Sequence, residues 1–217
     1  MMTNLFSVFD PCTGIFSLNW MSMMIFMFLF PKNFWYLKNK NTMMINLMFN
    51  MLHLELNLLM KYKGMSLIML TTFITIMYNN ILGLLPYVFT SSSHLMFSLS
   101  LALPMWLSFM IYGWLNNMNN MFTHLVPSGT PSMLMPFMVL IETISNLIRP
   151  GSLAVRLTAN MIAGHLLMSL LGNNSTNLIM MMSFMMMFII LMMFETAVAF
   201  IQSYVFMTLM NLYSSEV

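Results

Sequence analysis

Charged side chains are scarce in this sequence. Seven Lys or Arg and five Asp or Glu make up only 6% of the 217 residues, whereas 60% are hydrophobic and the mean hydropathy is +0.84. A soluble domain carries about a quarter charged residues. The lack of charge therefore argues against a soluble fold. It predicts an all-α integral membrane protein, organised as a single membrane domain over residues 1–217.

Cysteine is also scarce. The one cysteine, Cys12, excludes a disulfide framework within the chain and a multi-cysteine metal site. The net charge of +2 is too small to indicate a nucleic-acid partner. We expect no cofactor and no bound metal. No stretch combines a basic start, a short apolar run and a small-residue cleavage site, so we also expect no removable signal.

Methionine, by contrast, is abundant, with 34 residues. Such a content fits pliable, methionine-lined packing. It also fits mutational bias in an organelle genome that reads an AT-rich codon as methionine. We favour the second interpretation because it would also account for the expected absence of a removable signal.

Long hydrophobic runs predict about five membrane crossings. The predicted spans cover residues 15–30, 65–89, 95–115, 132–171 and 177–213, and residues 116–131 read as a loop. At about 1.5 Å per residue, each of the last two spans would be roughly 55–60 Å long, about twice the hydrocarbon thickness. Either Pro150-Gly151 divides the first of these two, or both are steeply tilted helices of a hairpin. The periodicity leaves both open.

Residues 43–60 differ from the spans because polar residues recur at helical spacing. Asn46, Asn50, His53 and Asn57 follow one another at intervals of 4, 3 and 4, which draws one polar stripe along a helix. This pattern predicts an amphipathic helix lying in the membrane interface. His53 belongs to the polar stripe, which favours a solvated side chain over a role as a ligand or proton carrier. Glu55 lies off the stripe and receives no role.

The basic residues predict the orientation of the chain. Five of the seven lie between the first and second predicted spans: Lys32, Lys38, Lys40, Lys61 and Lys63. The positive-inside rule places that region on the cytoplasm-equivalent side. The N-terminus is then outside and, after five crossings, the C-terminus is inside.

Ionisable groups concentrate in the long predicted span of residues 132–171. An arginine at bilayer depth costs a few kcal/mol or more, so such residues carry a functional hypothesis by default. Arg156 has long apolar stretches on both sides, which makes it hard for the side chain to reach the headgroups. We therefore predict a functional role for Arg156. Arg149 is a second cation seven residues earlier.

The predicted depths of the other ionisable groups form a pattern. Glu142 lies toward the inner side and His165 toward the outer side, with Arg156 between them. On the last helix Glu195 is at mid-membrane depth and Glu216 at the inner end. This is the pattern expected of a proton path made of two offset halves. The alternative is a set of buried polar groups that satisfy one another and fix helix register.

Four stretches resemble one known family closely. They are IETIS (141–145), LAVRLTAN (153–160), AGHLL (163–167) and ETAVAFIQSYVF (195–206). Together they resemble the membrane subunit a of F-type ATP synthases, in its mitochondrial form. The resemblance is strong from about Leu134 to the C-terminus and recognisable from Met43.

The resemblance implies a function for the ionisable groups. It implies a proton-translocating stator subunit in which a helical hairpin lies against a rotating ring of c subunits. Arg156 matches the arginine that faces the ring, and Asn160 and Gln202 match its polar neighbours. His165 and Glu195 match the path by which protons are taken up, and Glu142 and Glu216 match the path by which they exit. Nine residues are about 2.5 helical turns, which puts His165 opposite Arg156.

The resemblance also implies a location and partners. We expect a multi-pass protein of the mitochondrial inner membrane, with the N-terminus in the intermembrane space and the C-terminus in the matrix. Its partners would be the c ring, the other membrane and stalk subunits of ATP synthase, and the lipid bilayer, with protons as the transported species. ATP itself would be made by the soluble catalytic sector, so this chain is not expected to be an enzyme by itself.

Three other classes of membrane protein fit less well. A secondary transporter would show an internal repeat with paired broken helices, and we find none. A haem-bearing subunit would need paired histidines at bundle depth, whereas His165 is the one histidine deep in a predicted span. A proton-conducting subunit of a respiratory complex would typically use lysines in its spans, and none occurs there.

Overall fold

The computed structural model describes residues 5–12, 14, 16–31, 36–59, 64–126, 131–173 and 178–216. The helices are α1 (Ile25–Leu29), α2 (Lys40–Leu59), α3 (Met65–Leu84), α4 (Leu95–Asn116), α5 (Met118–Leu125), α6 (Met135–Asn173) and α7 (Leu178–Glu216). Four short 3-10 segments, Leu5–Phe9, Leu18–Met24, Ser91–Ser93 and Ser132–Leu134, join or precede them. The described residues contain no strand, which confirms the predicted all-α class.

In the part of the chain that the structure describes, four helices are long and apolar enough to cross a membrane. They are Met65–Leu84, Leu95–Asn116, Ser132–Asn173 and Met181–Glu216. This finding confirms an integral membrane protein with several spans. The helix bounds agree closely with four of the predicted spans.

The segment predicted as the first span is shorter than expected. Residues Leu18–Leu29 form a 12-residue apolar helix, of which Leu18–Met24 is wound as a 3-10 helix. Such a segment is roughly 20 Å long, against about 30 Å of hydrocarbon. Ser22 Oγ donates a hydrogen bond to the Phe89 carbonyl at 3.1 Å, so this part of the chain bonds to a neighbouring loop. Within the described residues, four helices rather than five have spanning length.

Two predicted boundaries change for identifiable reasons. Helix α3 ends at Leu84 and not at residue 89, because Leu85 precedes Pro86 and takes an extended conformation. The loop predicted over residues 116–131 contains the helix α5, which places His124 in a last helical turn. A proline inside a predicted span does not change its bounds: Pro104 lies within α4, and the helix continues through it.

Helix α2 has three faces. Asn50, His53 and Asn57 are exposed along the polar stripe, whereas Leu56 is buried against the rest of the fold. His53 shares hydrogen bonds with Asn57 (3.1 Å) and with Ser66 of α3 (3.2 Å), as expected of a polar surface histidine. The third face is apolar and exposed. The helix predicted over residues 43–60 is therefore confirmed up to Leu59, since residue 60 lies outside the described residues, and its position in the membrane interface stays a prediction. Of the flanking lysines, Lys32, Lys61 and Lys63 lie outside the described residues.

Pro150-Gly151 does not divide the long helix. Helix α6 runs unbroken for 39 residues and α7 for 39 more, so the alternative of two separate spans in residues 132–171 is wrong. Each helix is about 58 Å long at the rise of an α-helix. The steep tilt of both helices stays a prediction.

Helices α6 and α7 pack antiparallel from Arg149 of α6 onward. Arg149, the fifteenth residue of α6, meets Glu216 at the end of α7, and Gly164 lies against Glu195. On the other side of α6, Ala154 packs in the same core cluster as Ala102 of α4. Both alanines are fully buried. Such small residues let helix backbones approach closely in a membrane protein.

Candidate functional site: ionisable groups along the helical hairpin

Arg156 lies on the outer surface of the hairpin. Its side chain is exposed and borders a small cavity of about 10 Å³, together with Gln202 of α7. Asn160 follows one turn later on α6 and is half-buried. Among the described residues, no carboxylate lies within the ion-pair distance of 4.0 Å from the Arg156 guanidinium, since the ion pairs found there belong to Arg149. Within the described residues, the Arg156 side chain is thus exposed and forms no ion pair.

His165 lies on the opposite side of α6. The side chain is half-buried, its ring meets the Phe9 ring edge-on at 6.2 Å, and it has a hydrogen bond with the backbone of Gly83. Its Nε2 is buried and has no hydrogen-bond partner among the described residues. The nine residues between Arg156 and His165 turn a helix by about half a revolution beyond two full turns. The two side chains therefore face different surroundings.

Glu195 is buried against α6 at Gly164, the residue that precedes His165. Only 6% of Glu195 is exposed. A Cβ atom added to Gly164 would come within 2.8 Å of Glu195 Oε1, closer than real Cβ contacts allow. The structure thus brings the two residues predicted for proton uptake to neighbouring positions along the hairpin. The role of Gly164 was not predicted, although the residue stands inside the AGHLL motif.

A buried polar group near this region was also missed. Asn80 of α3 is 0% exposed, and neither atom of its amide has a hydrogen-bond partner among the described residues. Ser92, in the short 3-10 segment after α3, has a buried hydroxyl that also has no hydrogen-bond partner among the described residues. Buried polar atoms without protein partners point to bound water. The sequence did offer a signal for this site, because Asn80 is a polar residue inside a predicted apolar span.

At the other end of the hairpin, Arg149 joins two carboxylates. Its Nη2 lies 3.8 Å from Glu142 Oε1, and its Nη1 donates a hydrogen bond to Glu216 Oε2. The guanidinium carbon lies 5.2 Å from the centre of the Tyr213 ring, in a cation–π position. The structure therefore brings together Glu142 and Glu216, the two residues predicted for proton exit.

The fold and these groups define a class: a multi-pass membrane protein whose acid, imidazole and guanidinium groups lie along one helical hairpin. The family model described as ATP synthase A chain matches residues 14–215. The chain therefore belongs to the ATP synthase A chain family, which confirms the resemblance seen in the sequence. It is 56% identical to ATP synthase subunit a of Anopheles quadrimaculatus over 225 residues, 54% identical to that of Locusta migratoria over 224 and 54% to that of Drosophila melanogaster over 223, each covering 100% of both chains.

Proposed function

We propose that the chain is the proton-translocating stator subunit of the ATP synthase membrane sector. It provides two offset proton half-channels and an arginine, Arg156, that faces a rotating ring of c subunits. Proton flow along this route is coupled to rotation and so to ATP synthesis. The observation that carries the proposal, together with family membership, is the position of Arg156 on the exposed side of α6 and of His165 on its half-buried side.

The surface around Arg156 supports a closely packed helical partner. Ser152, Ala159 and Ala163 are exposed at helical spacing around the arginine. Small residues of this kind allow the backbone of a second helix to approach. A ring of c subunits would present such helices one after another to Arg156.

Arg156 acts as a separator and not as a relay. A guanidinium stays protonated in proteins and offers only donors, so it does not pass on a proton. It stabilises the ionised form of a ring carboxylate that comes near, since opposite charges attract strongly at low dielectric. The carboxylate therefore gives up its proton on the exit side and reloads only after it has left the arginine. Each proton carries about 2.3 kcal/mol per 100 mV of membrane potential, which a direct leak would waste.

Uptake runs through His165 and Glu195. His165 is half-buried, and Glu195 is buried against the glycine that precedes the histidine. The unpartnered polar atoms of Asn80 and Ser92 support bound water in this part of the protein. Acid, imidazole and water together supply the groups that proton transfer requires. Exit runs through Glu142 and Glu216 at the opposite end of the hairpin.

The two ends of the hairpin agree with the predicted orientation. His94 Nε2 donates to the Phe9 carbonyl at 2.9 Å, and Phe9 in turn meets His165, so the N-terminal segment packs at the uptake end. The lysine-flanked helix α2 packs at the exit end, where Leu56 shares a core cluster with Met210. An N-terminus in the intermembrane space and a C-terminus in the matrix satisfy both relations. This orientation requires the chain to cross the membrane once between Phe9 and α2, in addition to the four helices of spanning length.

We place the chain in the mitochondrial inner membrane, with the c ring and the other membrane and stalk subunits of ATP synthase as partners. Nucleotide chemistry belongs to the soluble catalytic sector. This subunit then needs no nucleotide site and no cofactor of its own, and works by guiding protons.

The test is Arg156→Ala in the reconstituted holoenzyme. ATP synthesis and ATP-driven proton pumping should be lost while assembly is retained, and passive proton flux should persist or rise. Arg156→Lys should also fail, because an ammonium lacks the planar fork and is able to lose its proton when desolvated. Glu55→Gln is the control and should behave as wild type. An Arg156→Ala enzyme that makes ATP at a normal rate would show instead that the polar groups only fix helix register.

A further inference from the structure

Arg149 and its two carboxylate partners form a group that the proposed function does not yet explain. We propose that Arg149 is the positioning residue of the proton exit path: it holds Glu142 and Glu216 together as one station that opens into a cavity beside Glu216. This inference rests on the proposed function, which assigns the two carboxylates to exit. It adds the residue that assembles them and the outlet that they use.

The geometry shows how one cation holds both acids. Glu142 precedes Arg149 by seven residues, so the two share one face of α6. Glu216 stands in the last turn of α7 and reaches the same guanidinium from the other helix. The planar fork of arginine presents separate donors in fixed directions, which suits two acceptors at once. Without this cation, the two carboxylates would repel each other and the end of α7 would lose its charged attachment to α6.

The arrangement suits transfer better than storage of a proton. Arg149 itself does not take part in the transfer, because its guanidinium stays protonated and does not release a proton. A proton released by a partner carboxylate forms a new O–H bond on Glu142 as the old one breaks. It then passes to Glu216 or to water, and Glu142 returns to its ionised, Arg149-bound form. Throughout the cycle one carboxylate stays attached to the guanidinium, so the station keeps its shape.

A cavity provides the outlet. About 200 Å³ of space lies beside Glu216, between α4, α5 and α6, and Trp106, His124, Thr143 and Asn146 contribute to its lining. Since water occupies about 30 Å³ in the liquid, the cavity has room for several molecules. The buried Nε1 of Trp106 has no hydrogen-bond partner in the described part of the chain. A water molecule in the cavity would satisfy that donor, because Trp106 contributes to the cavity lining.

The titratable and charged groups facing this station are few. Tyr213 lies under the guanidinium, and His124 of α5 lines the same cavity as Glu216. With Glu142 and Glu216 they are the acid–base groups near Arg149 in the described residues. A change at Arg149 should therefore alter the dependence of proton exit on matrix-side pH, and leave the dependence on the other side unchanged.

The experiment compares variants of the reconstituted holoenzyme. Arg149→Gln should slow ATP synthesis roughly tenfold, which corresponds to about 1.4 kcal/mol in the barrier. It should also alter the matrix-side pH profile, and Arg149→Lys should restore part of the rate. Glu216→Gln should act in the same direction. The charge-exchanged pair, Arg149→Glu with Glu216→Arg, should recover activity that Arg149→Glu alone has lost, and it keeps the test decisive if Arg149→Gln does not assemble.

The outcomes separate this inference from the proposed function. Suppose Glu142→Gln slows proton release but Arg149→Gln leaves the rate and the matrix-side pH profile unchanged. Then the exit path stands and the positioning role of Arg149 is wrong. If Glu142→Gln has no effect on release, the exit assignment itself is wrong. Failure of the charge-exchanged pair to recover activity, with assembly intact, also contradicts the inference.

Discussion

The carboxylate of Glu195 on α7 occupies the space that a side chain would take at Gly164 on α6. The contact joins α6 and α7 at Gly164, which directly precedes His165 on α6. It also leaves the acid only 6% exposed. A glycine is therefore required here for close packing and not for an unusual backbone angle, since Gly164 lies in the middle of a regular helix.

Gly164→Ala tests this contact. The added methyl group overlaps the Glu195 carboxylate, so the acid or the helix has to shift. We expect proton uptake to slow and ATP synthesis to fall several-fold, with the subunit still assembled. Gly151→Ala is the matched control on the same helix, because a Cβ there meets nothing within 4 Å. Equal losses in the two variants would mean that the effect comes from the helix backbone and not from Glu195.

The two halves of the path should respond from different sides of the membrane. Glu195→Gln and His165→Gln remove groups at the uptake end, so the rate should lose its dependence on pH on the intermembrane side. Glu142→Gln should alter the response on the matrix side. Proton flux in vesicles with each side buffered separately measures this difference. The same sidedness for all three variants would contradict the assignment of two separate paths.

The orientation of α2 is testable by chemical labelling. Cysteines at Asn50 and Asn57, which are both exposed on the polar stripe, should react with a membrane-impermeant thiol reagent added from the matrix side. Cys12 is exposed and needs to be replaced first. A cysteine at Leu56 is the control and should stay unlabelled, because that position is buried. Labelling from the intermembrane side alone would reverse the predicted topology.

The sequence allowed the long helices to be located within a few residues, because their hydrophobic runs are long and are separated by polar segments. Pro150-Gly151 could not be judged in this way. Proline removes one backbone hydrogen bond, and whether a helix continues through it depends on packing around it. Here Pro150 is buried within the fold, and α6 continues through it. Residues 15–30 were predicted as a full span for another reason. Hydropathy reports that a segment is apolar, but not that Leu18–Met24 adopts a 3-10 helix.

Residue types and spacing indicated which side chains carry chemistry, but not which of them meet. The pairing of Arg149 with Glu216 joins positions 67 residues apart and depends on how the two long helices align. Helical periodicity did place His165 opposite Arg156, since this relation lies within one helix. The buried amide of Asn80 stayed unnoticed because burial is a property of the packed bundle.

Under the proposed function, the opposite placement of Arg156 and His165 makes α6 itself a partition between the uptake and exit paths. A helix with its side chains is about 10–12 Å thick, and Ala154, Leu157 and Met161, which lie between these two faces, are buried and apolar. Thr158 is the buried polar residue beside them, and its hydroxyl is engaged within the helix, where it donates to the Val155 carbonyl at 3.0 Å. The body of the helix would thus act as electrical insulation between the two proposed proton paths, and a charge that arrives on one face would have to travel around the helix to reach the other.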